Sequence, residues 1–195
     1  RHPENMKAMR QVRLAEQLHA HRIMPIPGFF SGESMQDPKR KKAELDNMLS
    51  GMRKLSAYAH ARGIQVTIED YDHPLSPIAT IRGMQVFLDA VPTLTVTLDT
   101  GNFLFSGENV LDAFEVFRSR IAHVHLKDRF LRGDLPVEAA KMRFGEPCVS
   151  LQGMELYPCA VGEGVIPMKQ VLMRLEKTGY TGDMTIEHFV ASRQW

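Results

Sequence analysis

Net charge, long apolar runs and cysteine are all scarce in this sequence, and each scarcity removes a class of function. The 24 Lys and Arg against 23 Asp and Glu leave a formal charge of +1. That gives no overall field to draw nucleic acid, although a local basic patch stays compatible with it. No apolar run approaches the ~20 residues of a membrane-spanning helix, and no signal-peptide pattern opens the chain. A cytoplasmic setting away from membranes is therefore expected. Cys148 and Cys159 are the two cysteines, read as idle thiols rather than as a disulfide or metal pair. Low-complexity linkers are absent as well. What remains is an ordinary globular composition, 44 % hydrophobic and 24 % charged over 195 residues, enough for one well-buried core.

Helix and strand signals alternate along the chain. Met6, Met9 and Val12 recur at helical spacing, and a short apolar stretch, Ile23 to Phe30, follows. Asp37-Pro38 is an N-cap with a proline suited to the first turn. The helix it opens carries Leu45, Met48, Leu49, Met52, Leu55 and Ala59 on one face. Gly63 stops it, and Ile64 to Glu69 reads as a strand. Ser76-Pro77 opens a third helix with Ile81, Met84 and Leu88 on one face, before the strand Leu94 to Asp99. A helix from about Glu108 to Arg118 precedes the strand Ile121 to Leu126. Residues 129–153 read as a long loop, with a short strand near Tyr157 to Val161. Pro167 sits in the first turn of a helix bearing Met168, Val171, Leu172 and Leu175. Asp183 to Phe189 is the last strand. Strands separated by helices of 10–20 residues make parallel βαβ units, so the class is α/β.

Four strand ends share a theme: Val66-Thr67-Ile68-Glu69, Val96-Thr97-Leu98-Asp99, His123-Val124-His125 and Met184-Thr185-Ile186-Glu187. Each ends in a metal-competent side chain, with a Thr or His two residues earlier on the same face. The ends lie 30, 26 and 62 residues apart. One βα unit is about 30 residues, so the doubled gap has room for a ligand-free strand, which Tyr157 to Val161 fills. Inward polar residues at the C-terminal ends of parallel strands suit a closed (β/α)8 TIM barrel, where such groups converge on one face. Eight strands need about 250 residues, and six are counted. The first one or two βα units are therefore expected to be missing, and residues 1–195 to form a single, N-terminally incomplete barrel domain. The start at Arg1, with no Met, fits that reading.

Glu69, Asp99, His125 and Glu187 form an oxygen-rich ligand set for one divalent ion. It suits Mn²⁺, Mg²⁺ or Co²⁺, with Zn²⁺ also compatible. His125 is level with the acids. His123 lies one layer deeper with Thr67, Thr97 and Thr185, as a hydrogen-bonded interior histidine or a support to the ligands.

The motifs TIEDYD, TLDTGNF, HVHLKD, GEGVIP and TIEHF, in this order and spacing, resemble the xylose-isomerase-like sugar phosphate isomerase/epimerase superfamily. The resemblance runs from about Gly63 to the end. It implies a barrel in which Glu69, Asp99, His125 and Glu187 bind one metal, commonly Mn²⁺, with Glu69 and Glu187 as acid and base on opposite faces of the substrate. Such chemistry removes a proton next to a carbonyl, and a cation stabilises the enediolate charge that develops. The implied activity is isomerisation or epimerisation of a small sugar, sugar phosphate or hydroxy-keto acid. An inosose-type dehydratase, which also expels a β-hydroxide, is the alternative. An apurinic endonuclease would need further His and Asp ligands, whereas Asn102 stands where a His is expected and Leu156-Tyr157-Pro158 lacks them. A non-catalytic barrel is the remaining reading.

Asn102, three residues beyond Asp99, either contacts substrate or makes a turn. Lys127 is read either as a candidate substrate contact or as a solvated lysine. Arg129 and Arg132 are each able to grip a phosphate or carboxylate. Glu163 lies between two glycines ahead of the Pro167 helix, whose N-terminus suits an anion; a tight turn explains those glycines equally well. His73 and His188 are not assigned as ligands. The expected partner is a small carbohydrate, without nucleic acid or membrane. Exposed barrel ends and twelve methionines are compatible with a homodimer.

Overall fold

The computed structural model describes residues 3–188 and divides into two compact units, residues 1–97 and 98–195. In the first, α1 (Pro3–Gln17), β1 (Arg22–Ile23), α2 (Pro38–His60), β2 (Gln65–Glu69) and α3 (Ile81–Ala90) lead into β3 (Thr95–Asp99), within which the second unit begins. Asp37 caps α2 as its sequence predicts, its carboxylate accepting from the N–H groups of Lys39 and Arg40. The face of α2 carrying Leu49, Met52, Leu55 and Ala59 is buried, and the helix packs on α1, β2 and α3. Strands β1, β2 and β3 pair in parallel, with Ile23 opposite Val66 and Glu69 opposite Thr97. Every residue of β2 after Gln65 is buried, as expected for a parallel strand covered on both faces.

Helix α3 starts later than Ser76-Pro77 suggests. Its cap is Thr80, whose hydroxyl accepts from the Gly83 N–H. Ser76 instead makes a turn, accepting from the Ile78 N–H. A Cβ on Gly83 would stand 2.2 Å from the Pro77 carbonyl oxygen, so that glycine lets turn and helix close up.

The second unit holds the end of β3, α4 (Val110–Phe117), β4 (Ile121–Leu126), β5 (Asp128–Leu131), α5 (Val137–Phe144), β6 (Cys148–Val149), β7 (Glu155–Cys159), α6 (Met168–Lys177) and β8 (Met184–Ile186). Here one expectation is corrected. No strand from the Tyr157 region lies between those leading to His125 and Glu187: β4 pairs directly and in parallel with β8, Val124 opposite Met184 and Leu126 opposite Ile186. Strand β7 instead pairs antiparallel with β5 and β6 in a separate three-stranded sheet. The long gap therefore encloses an antiparallel excursion. Its own small core joins Ala140, Phe144, Tyr157 and Cys159 to Phe130 and Leu135, with Phe144 stacked on Phe130. Five strands, not six, take part in parallel pairing among the described residues. Phe189, expected to end the last strand, lies outside the described residues. Among them no helix is long and apolar enough to cross a membrane.

Candidate metal and substrate site

In the second unit three of the four expected ligand residues come together. Asp99, His125 and Glu187 each offer one ligand atom, and these atoms lie within 4.8 Å of one another. Parallel pairing produces this. Thr100, just past β3, donates its N–H to the carbonyl of His125. Glu187, just past β8, donates its N–H to the carbonyl of Leu126. Three strand ends thus finish at one level.

Each carboxylate is oriented by its neighbours. Asp99 is fully buried, and its Oδ1 accepts from the N–H groups of Gly101 and Asn102 at 2.8 and 2.7 Å. Its Oδ2 faces Lys127 Nζ at 3.1 Å. Burial pushes the Asp99 carboxyl above its ordinary value, and Lys127 pulls the other way. Glu187 Oε2 lies 2.8 Å from His125 Nδ1, and Oε1 lies 2.9 Å from Lys127 Nζ. The hydrogen bond from His125, with help from Lys127, holds the Glu187 carboxyl down at about 2.

Lys127 is not solvated. Only 6 % of it is exposed, and its ammonium also donates to Asn102 Oδ1 at 3.0 Å. Lys127 lies two residues beyond His125 and so on the same face. Thr100 takes the backbone of Lys127 in a reciprocal pair, Lys127 N–H to Thr100 Oγ1 and Thr100 O–H to the Lys127 carbonyl, and so fixes the side chain on that face. Gly101 makes room, since a Cβ there would come within 3.0 Å of Lys127.

Arg129 is buried as well and approaches Asn102 Oδ1 at 3.4 Å. Arg132 is engaged in the antiparallel sheet, donating to Glu155 and to the Leu135 carbonyl. Glu163 has an exposed side chain. His123 meets Thr185 at 3.3 Å, one layer below His125, whose ring it touches edge to face. In the first unit Glu69 ends β2, nearly buried, and the hydroxyls of Thr67 and Thr97 meet at 3.0 Å one layer down.

The glycine turn at 162–164 has a partner that sequence reasoning passed over. Asp128, 2 % exposed, accepts from the N–H groups of Gly162 and Gly164 on Oδ2, and of Ile166 and Arg129 on Oδ1. The anion at this row of N–H groups is thus one of the chain's own carboxylates. The acid directly after Lys127, with a Gly-x-Gly some 34 residues on, was the available signal. Cys159 lies beside Asp128; burial first, then that charge, pushes its thiol up to about 12, which removes it as a nucleophile.

The residues present fit a divalent cation. Two carboxylates and an imidazole form a hard to borderline donor set without thiolate, and their strand ends are fixed by backbone hydrogen bonds.

Known proteins support the architecture. An inosose dehydratase of Geobacillus thermodenitrificans is 30 % identical over 153 residues, covering 77 % of this chain and 49 % of that protein. A D-tagatose 3-epimerase-like protein superposes with a TM-score of 0.67 at 21 % identity, over 92 % of this chain and 60 % of the other. A xylose isomerase-like TIM barrel protein from Mycobacterium smegmatis, solved in complex with magnesium, gives 0.66 at 17 %, over 96 % and 61 %. The chain spans about half the length of the curated relatives it matches. Residues 5–195 match the family described as xylose isomerase-like TIM barrel, and the chain belongs to that family.

Proposed function

We propose that this chain forms the metal-binding part of a single barrel domain that removes a proton next to the carbonyl of a small polyhydroxylated ketone. Glu69, Asp99, His125 and Glu187 would hold one divalent cation, Mn²⁺ or Mg²⁺ by donor type, with Co²⁺ and Zn²⁺ also compatible. The observation that carries this reading is the convergence of Asp99, His125 and Glu187 at the ends of hydrogen-bonded strands. When bound, the cation supplies stabilisation of negative charge developing on the substrate's carbonyl oxygen.

The chain's own groups fit the remaining tasks. Glu187 is ionised at neutral pH, the protonation state that both a metal ligand and a base require. Glu69 supplies a second carboxylate. Lys127 and Arg129 bring positive charge to Asn102, which suits orienting substrate hydroxyls. Expulsion of a β-hydroxyl after proton removal is the favoured outcome, because the inosose dehydratases are the relatives with the higher sequence identity. A second reading, isomerisation or epimerisation, is favoured by having two glutamates at strand ends, which would serve opposite faces of a substrate.

An inosose incubated with Mn²⁺-loaded protein in D₂O separates the two. Loss of water, with a new conjugated-carbonyl absorbance, supports the dehydratase. Deuterium at the carbon next to the carbonyl, without loss of water, supports the epimerase or isomerase. Neither change, with ketoses and hydroxypyruvate also inert, would overturn the proposal.

A further inference from the structure

The two ligand carboxylates of the second unit already have a cation between them. On Asp99, Oδ1 is taken by the Gly101 and Asn102 N–H groups, while Oδ2 is buried without a hydrogen bond and faces the Lys127 ammonium at 3.1 Å. On Glu187, Oε2 faces His125 and Oε1 faces Lys127. The Asp99 Oδ1 contacts are backbone bonds that start the turn of residues 102–106 and are not easily given up. A metal ion reaching Asp99 would meet it at Oδ2, where the charge of Lys127 already stands 3.1 Å away.

Resting on the metal reading above, we infer that Lys127 is a built-in counter-ion that exchanges with the metal. Its ammonium stands between Asp99 and Glu187, and charge repulsion drives it away from Asp99 Oδ2 when a divalent cation binds there. The withdrawn ammonium keeps its hydrogen bond to Asn102 Oδ1. The arrangement is built rather than incidental. Thr100 pins the backbone of Lys127 from both sides, and the missing Cβ of Gly101 leaves space for its chain. Lys127 is thus a positioning residue that sets metal affinity. Its charge offsets like-charge repulsion between the carboxylates and competes with any incoming cation.

The test is Mn²⁺ binding to chelator-treated protein, read from the electron paramagnetic resonance signal of unbound Mn²⁺, for wild type and Lys127→Met. K127M should bind Mn²⁺ at least ~10-fold more tightly and have a lower Tm than wild type without metal, the deficit closing when Mn²⁺ is added. Equal or weaker affinity in K127M, with wild type binding normally, overturns the inference and leaves the metal reading standing. No binding by either protein removes both. Should K127M fail to fold, the wild type decides alone. Its Lys127 ammonium ¹⁵N resonance, assigned through contacts to Thr100 and Asn102, must shift on saturation with Mg²⁺, and an unmoved resonance overturns the exchange.

Discussion

Glu187 carries the pH signature of the site. Its carboxyl lies at about 2 rather than at the ordinary 4.5, because His125 hydrogen-bonds it and Lys127 sits beside it. A carboxyl depressed on folding stabilises the protein fully above its unfolded value and loses that contribution as pH falls through the folded value. The metal-free wild type should therefore lose stability between about pH 4.5 and 2 more steeply than Glu187→Gln, in which this linkage is gone. Parallel pH–Tm curves for the two would contradict the ionic description of the cluster. At this scale the sequence was informative about identity and face, and silent about what pins Lys127. Glu69, Asp99, His125 and Glu187 share a register that can be read from the alternation of β-strands. That alternation also places Lys127, two residues beyond His125, on the inward face, where it is buried; Thr100 pins its backbone there, one residue beyond β4. A hydroxyl 27 residues upstream leaves no periodic trace in the chain.

Among the elements, the turn at 162–166 is the one most dependent on a single side chain. Asp128 accepts four backbone N–H groups there and at Arg129. Asp128→Ala should cost ~1–3 kcal/mol, the penalty for stranding buried donors, measured by urea unfolding. Gly164→Ala should act at the same place by overpacking, at ~1–3 kcal/mol, since a Cβ would stand 2.1 Å from Asp128 Oδ1 and 2.4 Å from the Arg129 carbonyl oxygen. Changes within ~0.5 kcal/mol, the size of an ordinary surface substitution, would show that the clamp is not needed. Helix α2 was legible because its signals are local: Asp37 and Pro38 at the start, an apolar stripe along one face and Gly63 after the end. Strand β7 was found in the sequence, but its partners were not. A short apolar segment does not declare whether it pairs in parallel or antiparallel. That choice was made by β5, 31 residues earlier in the chain at the Asp128–Cys159 end and 25 at the Leu131–Leu156 end.

For the whole molecule, family membership was legible because the βα period and five motifs recur in a fixed order, and the match over residues 5–195 agrees. The strand count was less legible, since an antiparallel excursion of about one βα length imitates a repeat when only spacing is read. Substrate identity is not written in the strand ends at all. In barrels of this kind it lies in the loops that follow the strands, and this chain spans about half of its curated relatives.

The claim on which the rest depends is a single divalent-metal centre made by Glu69, Asp99, His125 and Glu187. Elemental analysis of protein dialysed after incubation with Mn²⁺, beside the Glu69→Ala and Asp99→Ala variants, tests it most directly. The account predicts about one metal ion per chain in the wild type, lost in both variants while their circular dichroism spectra stay native. Metal-free wild-type protein, or a full complement of metal in either variant, would contradict it.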